Sequence, residues 1–397
     1  MATETKHNAI LNEEIDRRAV PALKMHKMVL GEGGENLFAA GVADMDFKAP
    51  PVVLKAMQDR LEHGVFGYET IPDELMPALI NWQKAQHGWH LEPAHILRAP
   101  NILNSLAIAA SLFTNENDGV IVQPPVFFDF FDILRENNRR IISNPLILKN
   151  GRYTMNFDEL EKQAAEPRNK MIYLCNPHNP VGRVWTKPEL QKLGDICKRH
   201  NVLVVADEIH ADITFKGHKY TPFASLGPNY ADNAITLISP AKSFNIASCC
   251  SAFTIISNDI RRKAFQVENS RLTVNKNNAF ASAAMQAAYT YGKPWLKDVL
   301  QYLEENLSLV REHLKQIPNI KLIEPEGTFL LWLDFRGLGL APDDLAAFLR
   351  TKAGWAITRG HAFGAEGNGF ARLNIACTKV RLQTALNQLS KAVTDIC

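Results

Sequence analysis

The chain has 397 residues, 46% of them hydrophobic and 22% charged, which is the composition of an ordinary globular protein. Its 44 basic and 42 acidic residues leave a net charge of +2, which gives no electrostatic case for nucleic acid or an anionic membrane as the main partner. A chain of this length is too long for one small core and suggests two or three domains.

The start carries acids at Glu4, Glu13 and Glu14 and no signal-peptide core, so a cytoplasmic protein is expected. No apolar run approaches the ~20 residues a membrane helix needs. Gly31, Gly33 and Gly34 mark a turn, and Gly41-Val42-Ala43-Asp44-Met45-Asp46-Phe47 leads to Pro50-Pro51, which opens a helix over 52–63. Gly64-Val65-Phe66-Gly67-Tyr68 then reads as a loop with an aromatic at its tip.

Between about 97 and 257, short Val- and Ile-rich runs (119–123, 171–175, 202–206, 234–238, 253–256) alternate with helical patterns. Apolar on both faces, they predict a largely parallel sheet covered by helices, the α/β class. Thr186-Lys187-Pro188-Glu189 forms a capping box, and Leu190, Leu193 and Cys197 follow at helical spacing, making this stretch a β-α-β unit. Gly292-Lys293-Pro294 places a domain boundary. Beyond it come an amphipathic helix (299–316) with Leu300, Leu303, Leu307, Val310 and Leu314 on one stripe, a strand (329–335), a helix (342–351), strands at 355–358 and 370–376, and a last helix from 380. The expected division is a large domain, 48–291, and a smaller α+β domain built from 1–47 and 292–397. The six cysteines, Cys175, Cys197, Cys249, Cys250, Cys377 and Cys397, show no zinc-ligand or C-x-x-C spacing, so reduced thiols and no metal site are expected.

In an open parallel sheet, ligands bind at the carboxyl ends of the strands, and polar residues collect there. One run ends in Asp207-Glu208-Ile209-His210, one in Asn176-Pro177-His178-Asn179, one in Pro124-Pro125-Val126-Phe127-Phe128, and one in Ser239-Pro240-Ala241-Lys242. Lys242 reads either as a lysine snorkelling to the surface or as an amine made nucleophilic by desolvation. The four strand ends together favour the second reading and suit pyridoxal phosphate. Lys242 would bind its aldehyde, Asp207 would keep its ring nitrogen protonated, Asn179 would donate to its phenolic oxygen, and Phe127 would stack on its ring. The helix opening at Asn101-Ile102-Leu103-Asn104 would offer free N–H groups to the phosphate, and Ser239 a hydroxyl. In Phe370-Ala371-Arg372-Leu373-Asn374-Ile375, Arg372 points away from the apolar face and reads either as a surface residue or as a grip on a substrate carboxylate.

These motifs resemble the fold-type I pyridoxal-phosphate enzymes, the aspartate aminotransferase superfamily, over nearly the whole chain. Within that superfamily, Val42-Ala43-Asp44-Met45-Asp46-Phe47, His63-Gly64-Val65-Phe66-Gly67-Tyr68, Asn176 to Trp185, Asp207-Glu208-Ile209-His210-Ala211-Asp212 and Lys242-Ser243-Phe244-Asn245-Ile246 look most like the MalY/PatB-type cystathionine β-lyases, or C–S lyases. The resemblance implies that Lys242 is the cofactor-linked lysine, Asp207 the ring-nitrogen partner and Asn179 the phenolic-oxygen partner. His210, Phe127, Ile102, Leu103 and Ser239 complete the cofactor contacts, and Arg372, Ala43 and Asn179 the substrate contacts. It also implies a homodimer in which Tyr68 reaches the neighbouring subunit's cofactor phosphate. The expected activity is cleavage of S-substituted L-cysteines, cystathionine among them, to pyruvate, ammonia and a thiol. The alternatives are an aminotransferase using the same residues and a non-catalytic protein that keeps the fold. Two departures bear on substrate. The lyases usually carry tyrosine where this chain has Phe127-Phe128, and Ala247-Ser248-Cys249-Cys250-Ser251 lacks the branch's usual glycine-containing pattern.

Overall fold

The computed structural model describes residues 10–249 and 251–396; residues 1–9 and two of the cysteines expected to be thiols, Cys250 and Cys397, lie outside the described residues. A seven-stranded sheet runs in the order Ile96–Ala99, Ala252–Ile255, Ala234–Ile238, Leu203–Asp207, Asn169–Cys175, Gly119–Val122, Arg140–Ser143. Every pairing from Ala234–Ile238 to Arg140–Ser143 is parallel, and Ala252–Ile255 pairs antiparallel with both of its neighbours.

The residues that made these runs apolar on both faces sort onto two cores. Val120, Val122, Met171, Tyr173, Leu203, Val205, Ile235 and Leu237 pack on one side with the helix Ile102–Phe113. Ile121, Ile172, Leu174, Val204, Ala206 and Ala234 pack on the other with the helix Lys187–Arg199, which opens on the predicted capping box. The register puts Asp207 between Cys175 and Leu237, so the polar strand ends converge on one edge of the sheet.

The C-terminal third carries a four-stranded antiparallel sheet ordered Lys321–Ile323, Leu330–Asp334, Phe370–Asn374, Thr358–Arg359, with the helices Pro342–Thr351 and Lys379–Thr394. Phe38–Ala39, near the N-terminus, pairs in parallel with Trp355–Ala356. The helix expected over 299–316 spans Lys293–Leu314. Pro294 sits in its first turn, where a missing N–H costs nothing, so the proline opens the helix instead of ending a preceding element. Leu300, placed on the core stripe from the sequence, is only partly buried, and the face begins with Trp295, Leu296 and Val299. Among the described residues, no helix is long and apolar enough to cross a membrane.

Candidate active site

At the carboxyl edge of the parallel strands lies a cavity of about 250 Å³. Most of the residues singled out from the sequence line it: Lys242, Asp207, Asn179, His210, Phe127, Ile102, Leu103, Ser239 and Ala43. Arg372 joins through Asn179, donating from Nη1 to Asn179 Oδ1 at 2.9 Å. Tyr68 does not join them. It is fully exposed on the loop after the helix Pro51–His63, beside the exposed Val65 and Phe66.

Lys242 does not snorkel outward. Its Nζ donates to Ala43 O at 2.6 Å inside the cavity wall. Burial, and the nearby Arg372 charge, lower its pKa to about 8. The turn that carries Lys242 is fixed on both sides. Ser243 Oγ donates to Asp212 at 2.6 Å, and Asp212 also accepts from Trp82 Nε1 at 2.9 Å and pairs with His87 Nε2 at 2.8 Å. Asn245, held at a φ of 54° in the left-handed region, accepts from Met45 N–H at 3.0 Å. Its amide donates to Met45 O at 3.0 Å and Phe47 O at 2.7 Å.

The 41–47 segment that supplies Ala43 is itself anchored. Asn374 Nδ2 donates to Val42 O at 2.7 Å and Asp44 O at 2.6 Å. Arg372 Nη2 donates to Gly41 O at 2.5 Å. Asp46, Lys24, Arg17 and Arg381 form an ion-pair cluster beneath it, with the Lys24 side chain buried. Arg372 and Asn374 leave their strand on the same face, as the alternation of the sequence required.

Asp207 is buried at the strand end. Its Oδ1 accepts one hydrogen bond, from Ile209 N–H at 3.1 Å. Burial pushes its carboxyl up to about 6, so a cation or a proton donor is what it lacks. His210 is held neutral, its pKa driven well below the usual value by burial and by the charges of Lys242 and Arg372. Asn101 caps the helix Ile102–Phe113 by accepting from Asn104 N–H at 2.8 Å. That cap leaves the N–H groups of Ile102 and Leu103 pointing out of the first turn, where an anion is favoured. Ser239 is already engaged, its Oγ donating to Ser251 O at 2.6 Å and accepting from Ala241 N–H at 3.1 Å.

A flat, phosphorylated pyridine aldehyde fits what these groups still lack. Lys242 offers an amine to the aldehyde, Asp207 an acceptor to the ring N–H, Phe127 a face, and Ile102 and Leu103 donors to the phosphate. His210 Nδ1 and Arg372 Nε are buried without a hydrogen-bond partner among the described residues, as polar groups that serve a ligand would be.

Two titratable wall residues escaped the sequence reading. Cys175 lines the cavity with its thiol pKa raised well above normal by burial, so it stays protonated. Asp129 lines it as well, two residues after Phe127 in the first turn of the helix Asp129–Glu136. An acid at the start of a helix is what the helix dipole favours, and nothing local distinguishes Asp129 from that role.

The model of the family "Aminotransferase class I and II" matches residues 35–389. The chain is 39% identical to cystathionine β-lyase PatB of Bacillus subtilis (strain 168) over 354 residues, covering 89% of this chain and 92% of that protein. Among solved structures, cystalysin of Treponema denticola, which contains a pyridoxal 5′-phosphate cofactor, superposes with a TM-score of 0.94 at 32% identity, covering 98% of this chain and 99% of that one. The PLP-bound C–S lyase of Staphylococcus hominis superposes with a TM-score of 0.89 at 30% identity, covering 96% of this chain and 97% of that one.

Proposed function

The chain belongs to the aminotransferase class I and II family, and from that premise we propose that it is a pyridoxal-phosphate-dependent C–S β-lyase, converting S-substituted L-cysteines to pyruvate, ammonia and a thiol. The observation that carries this reading is the convergence of Lys242, Asp207, Asn179 and Phe127 on one cavity beside the open start of a helix.

When bound, pyridoxal phosphate supplies an aldehyde that anchors the substrate amine and a protonated ring that draws electrons from the substrate's α-carbon. The protein's own groups do the rest. Asp207 holds the proton on the ring nitrogen, a pairing that relieves its own burial. Arg372, with Asn179, grips the α-carboxylate, its guanidinium oriented by Gly41 O and by Thr358 Oγ1 at 3.3 Å. Asn179 Oδ1 is taken by Arg372, which leaves its Nδ2 as the donor to the phenolic oxygen. Lys242 Nζ would be the base that accepts the proton from the α-carbon, a task suited to an amine with a pKa of about 8. Loss of that proton would let the sulfur leave the β-carbon with the C–S bonding pair, as a thiolate, and the unsaturated amine left behind would take up water to give pyruvate and ammonia.

The test is to give the holoenzyme S-methyl-L-cysteine and to assay pyruvate and free thiol. Stoichiometric release of both is expected; a fully loaded enzyme that releases neither rejects the reading. One feature favours aminotransfer as a second reading: Phe127 and Phe128 present rings without the hydroxyls the lyase branch usually carries there. Under that reading the cofactor ends in its amine form and pyruvate does not accumulate.

The reading extends to assembly and organisation. The exposed loop with Val65, Phe66 and Tyr68 forms part of a homodimer interface through which Tyr68 reaches the other subunit's cofactor phosphate. Each subunit divides into a large unit, 48–291, and a small one, 1–47 with 292–397. Buried thiols at Cys175, Cys197 and Cys377 suit the reducing cytoplasm. Light scattering is expected to give twice the chain mass of 44.4 kDa; a monomer rejects the shared site.

A further inference from the structure

The carboxylate of Asp129 stands in the cavity wall without an ion-pair partner among the described residues. No hydrogen bond or ion pair engages its side chain among the described residues, although it feels the fields of Lys242 and Arg372. Neither of those cations turns to it: Lys242 Nζ is held by Ala43 O, and the Arg372 guanidinium is shared among Asn179, Gly41 and Thr358. Asp207, in the same wall, also has no ion pair, and the proposed cofactor ring supplies its partner; the remaining carboxylates of the neighbourhood differ. Asp44 and Asp46 are paired with Arg17 and Lys24, and Asp212 accepts from Trp82 and Ser243.

Burial and the neighbouring Asp132 raise the Asp129 carboxyl above its ordinary range, against the lowering influence of Lys242 and Arg372. The inference rests on the substrate placement proposed above. There the α-amino group goes to the position of Lys242 Nζ and the α-carboxylate to Arg372, so neither is left to meet Asp129. The remaining part of an S-substituted cysteine is the group on sulfur.

We propose that Asp129 is a specificity-determining residue that selects S-substituted L-cysteines whose sulfur substituent carries a positively charged nitrogen. An ammonium on the departing group would sit against the Asp129 carboxylate and donate to it the charge-assisted hydrogen bond that the protein itself does not supply. A carboxylate on the departing group would be repelled. Selection by one charge of this kind works as much by rejecting the wrong partner as by holding the right one.

The test compares S-(2-aminoethyl)-L-cysteine, S-methyl-L-cysteine and S-carboxymethyl-L-cysteine on the holoenzyme. Two readouts are taken: kcat/KM for thiol release, and the concentration dependence of the change in cofactor absorbance on mixing, which needs no turnover. The order aminoethyl, methyl, carboxymethyl is expected in both. Asp129→Asn should shrink the aminoethyl-to-methyl ratio about tenfold, the ratio that one partly buried ion pair supports. Equal ratios in wild type and Asp129→Asn overturn the inference, as does a wild type that does not favour the aminoethyl compound. If no substrate yields pyruvate but the absorbance titration keeps the order and its dependence on Asp129, the lyase reading fails and the specificity assignment stands. Should Asp129→Asn fail to fold, Asp129→Glu, which keeps the charge, must keep the preference for the aminoethyl compound.

Discussion

Lys242 and Asp207 respond to burial in opposite senses, and each sense has a consequence. For Lys242, burial disfavours the ammonium, so the free amine forms as pH rises through about 8 instead of near 10.5. Covalent capture of pyridoxal phosphate by apo-protein should therefore speed up with a midpoint near pH 8, followed by stopped-flow absorbance; a midpoint near 10.5 would show a solvated lysine. Lys242→Ala should lower thiol release by about 10²–10⁴-fold, the usual contribution of a positioned base. For Asp207, burial disfavours the carboxylate. The unfolded chain ionises this group near 3.8 and the folded one near 6, so apo-protein loses stability as pH rises through that window. Above it, Asp207→Asn should stabilise the apo-protein by on the order of 2 kcal/mol while weakening cofactor binding. A denaturant titration at pH 8 in which the variant is less stable than wild type would contradict the assignment.

At the scale of elements, the site is a set of strand ends tied to one crossing segment. Asn245 carries much of that tie, because its side chain makes three hydrogen bonds to the backbone of Met45 and Phe47 while its own backbone stays in the left-handed region. Asn tolerates that region better than other side-chain-bearing residues. Asn245→Ala should cost about 2–4 kcal/mol in urea unfolding, from the lost bonds and the strained backbone. Asn245→Gly should recover the backbone part only. A loss below about 0.5 kcal/mol for Asn245→Ala, the range of ordinary surface changes, would show that 41–47 is held without it.

The strands that bear the site were legible because residues buried on both faces leave near-continuous apolar runs. Ile96–Ala99 and Arg140–Ser143 were not, for they sit at the sheet's edges, and the second carries exposed Arg140 and Ser143. The helix Leu75–His87 and the hairpin Ile147–Lys149 with Arg152–Thr154 were likewise unread. The hairpin is short and largely exposed, and a short polar run carries little periodicity. Arg372 could be assigned a direction from the alternation of its strand, but Asp129 could not be told from a helix-start acid. What distinguishes Asp129 is the cavity it faces, and that depends on packing between segments far apart in sequence.

In the whole molecule, an N-terminal segment, a parallel sheet and a C-terminal strand converge on the cavity that holds Lys242 and Asp207. The N-terminal strand Phe38–Ala39 pairs with Trp355–Ala356, Arg372 reaches back to Gly41, and Lys242 reaches Ala43, so chain ends and centre meet at a single point. The most direct measurement is borohydride reduction of the pyridoxal-phosphate-loaded protein, followed by peptide mass spectrometry. The peptide containing Lys242 is expected to carry the phosphopyridoxyl mass in near-stoichiometric amount, and Lys242→Ala to carry none. The mass on a different lysine, or full cofactor loading with no modified peptide, would contradict it.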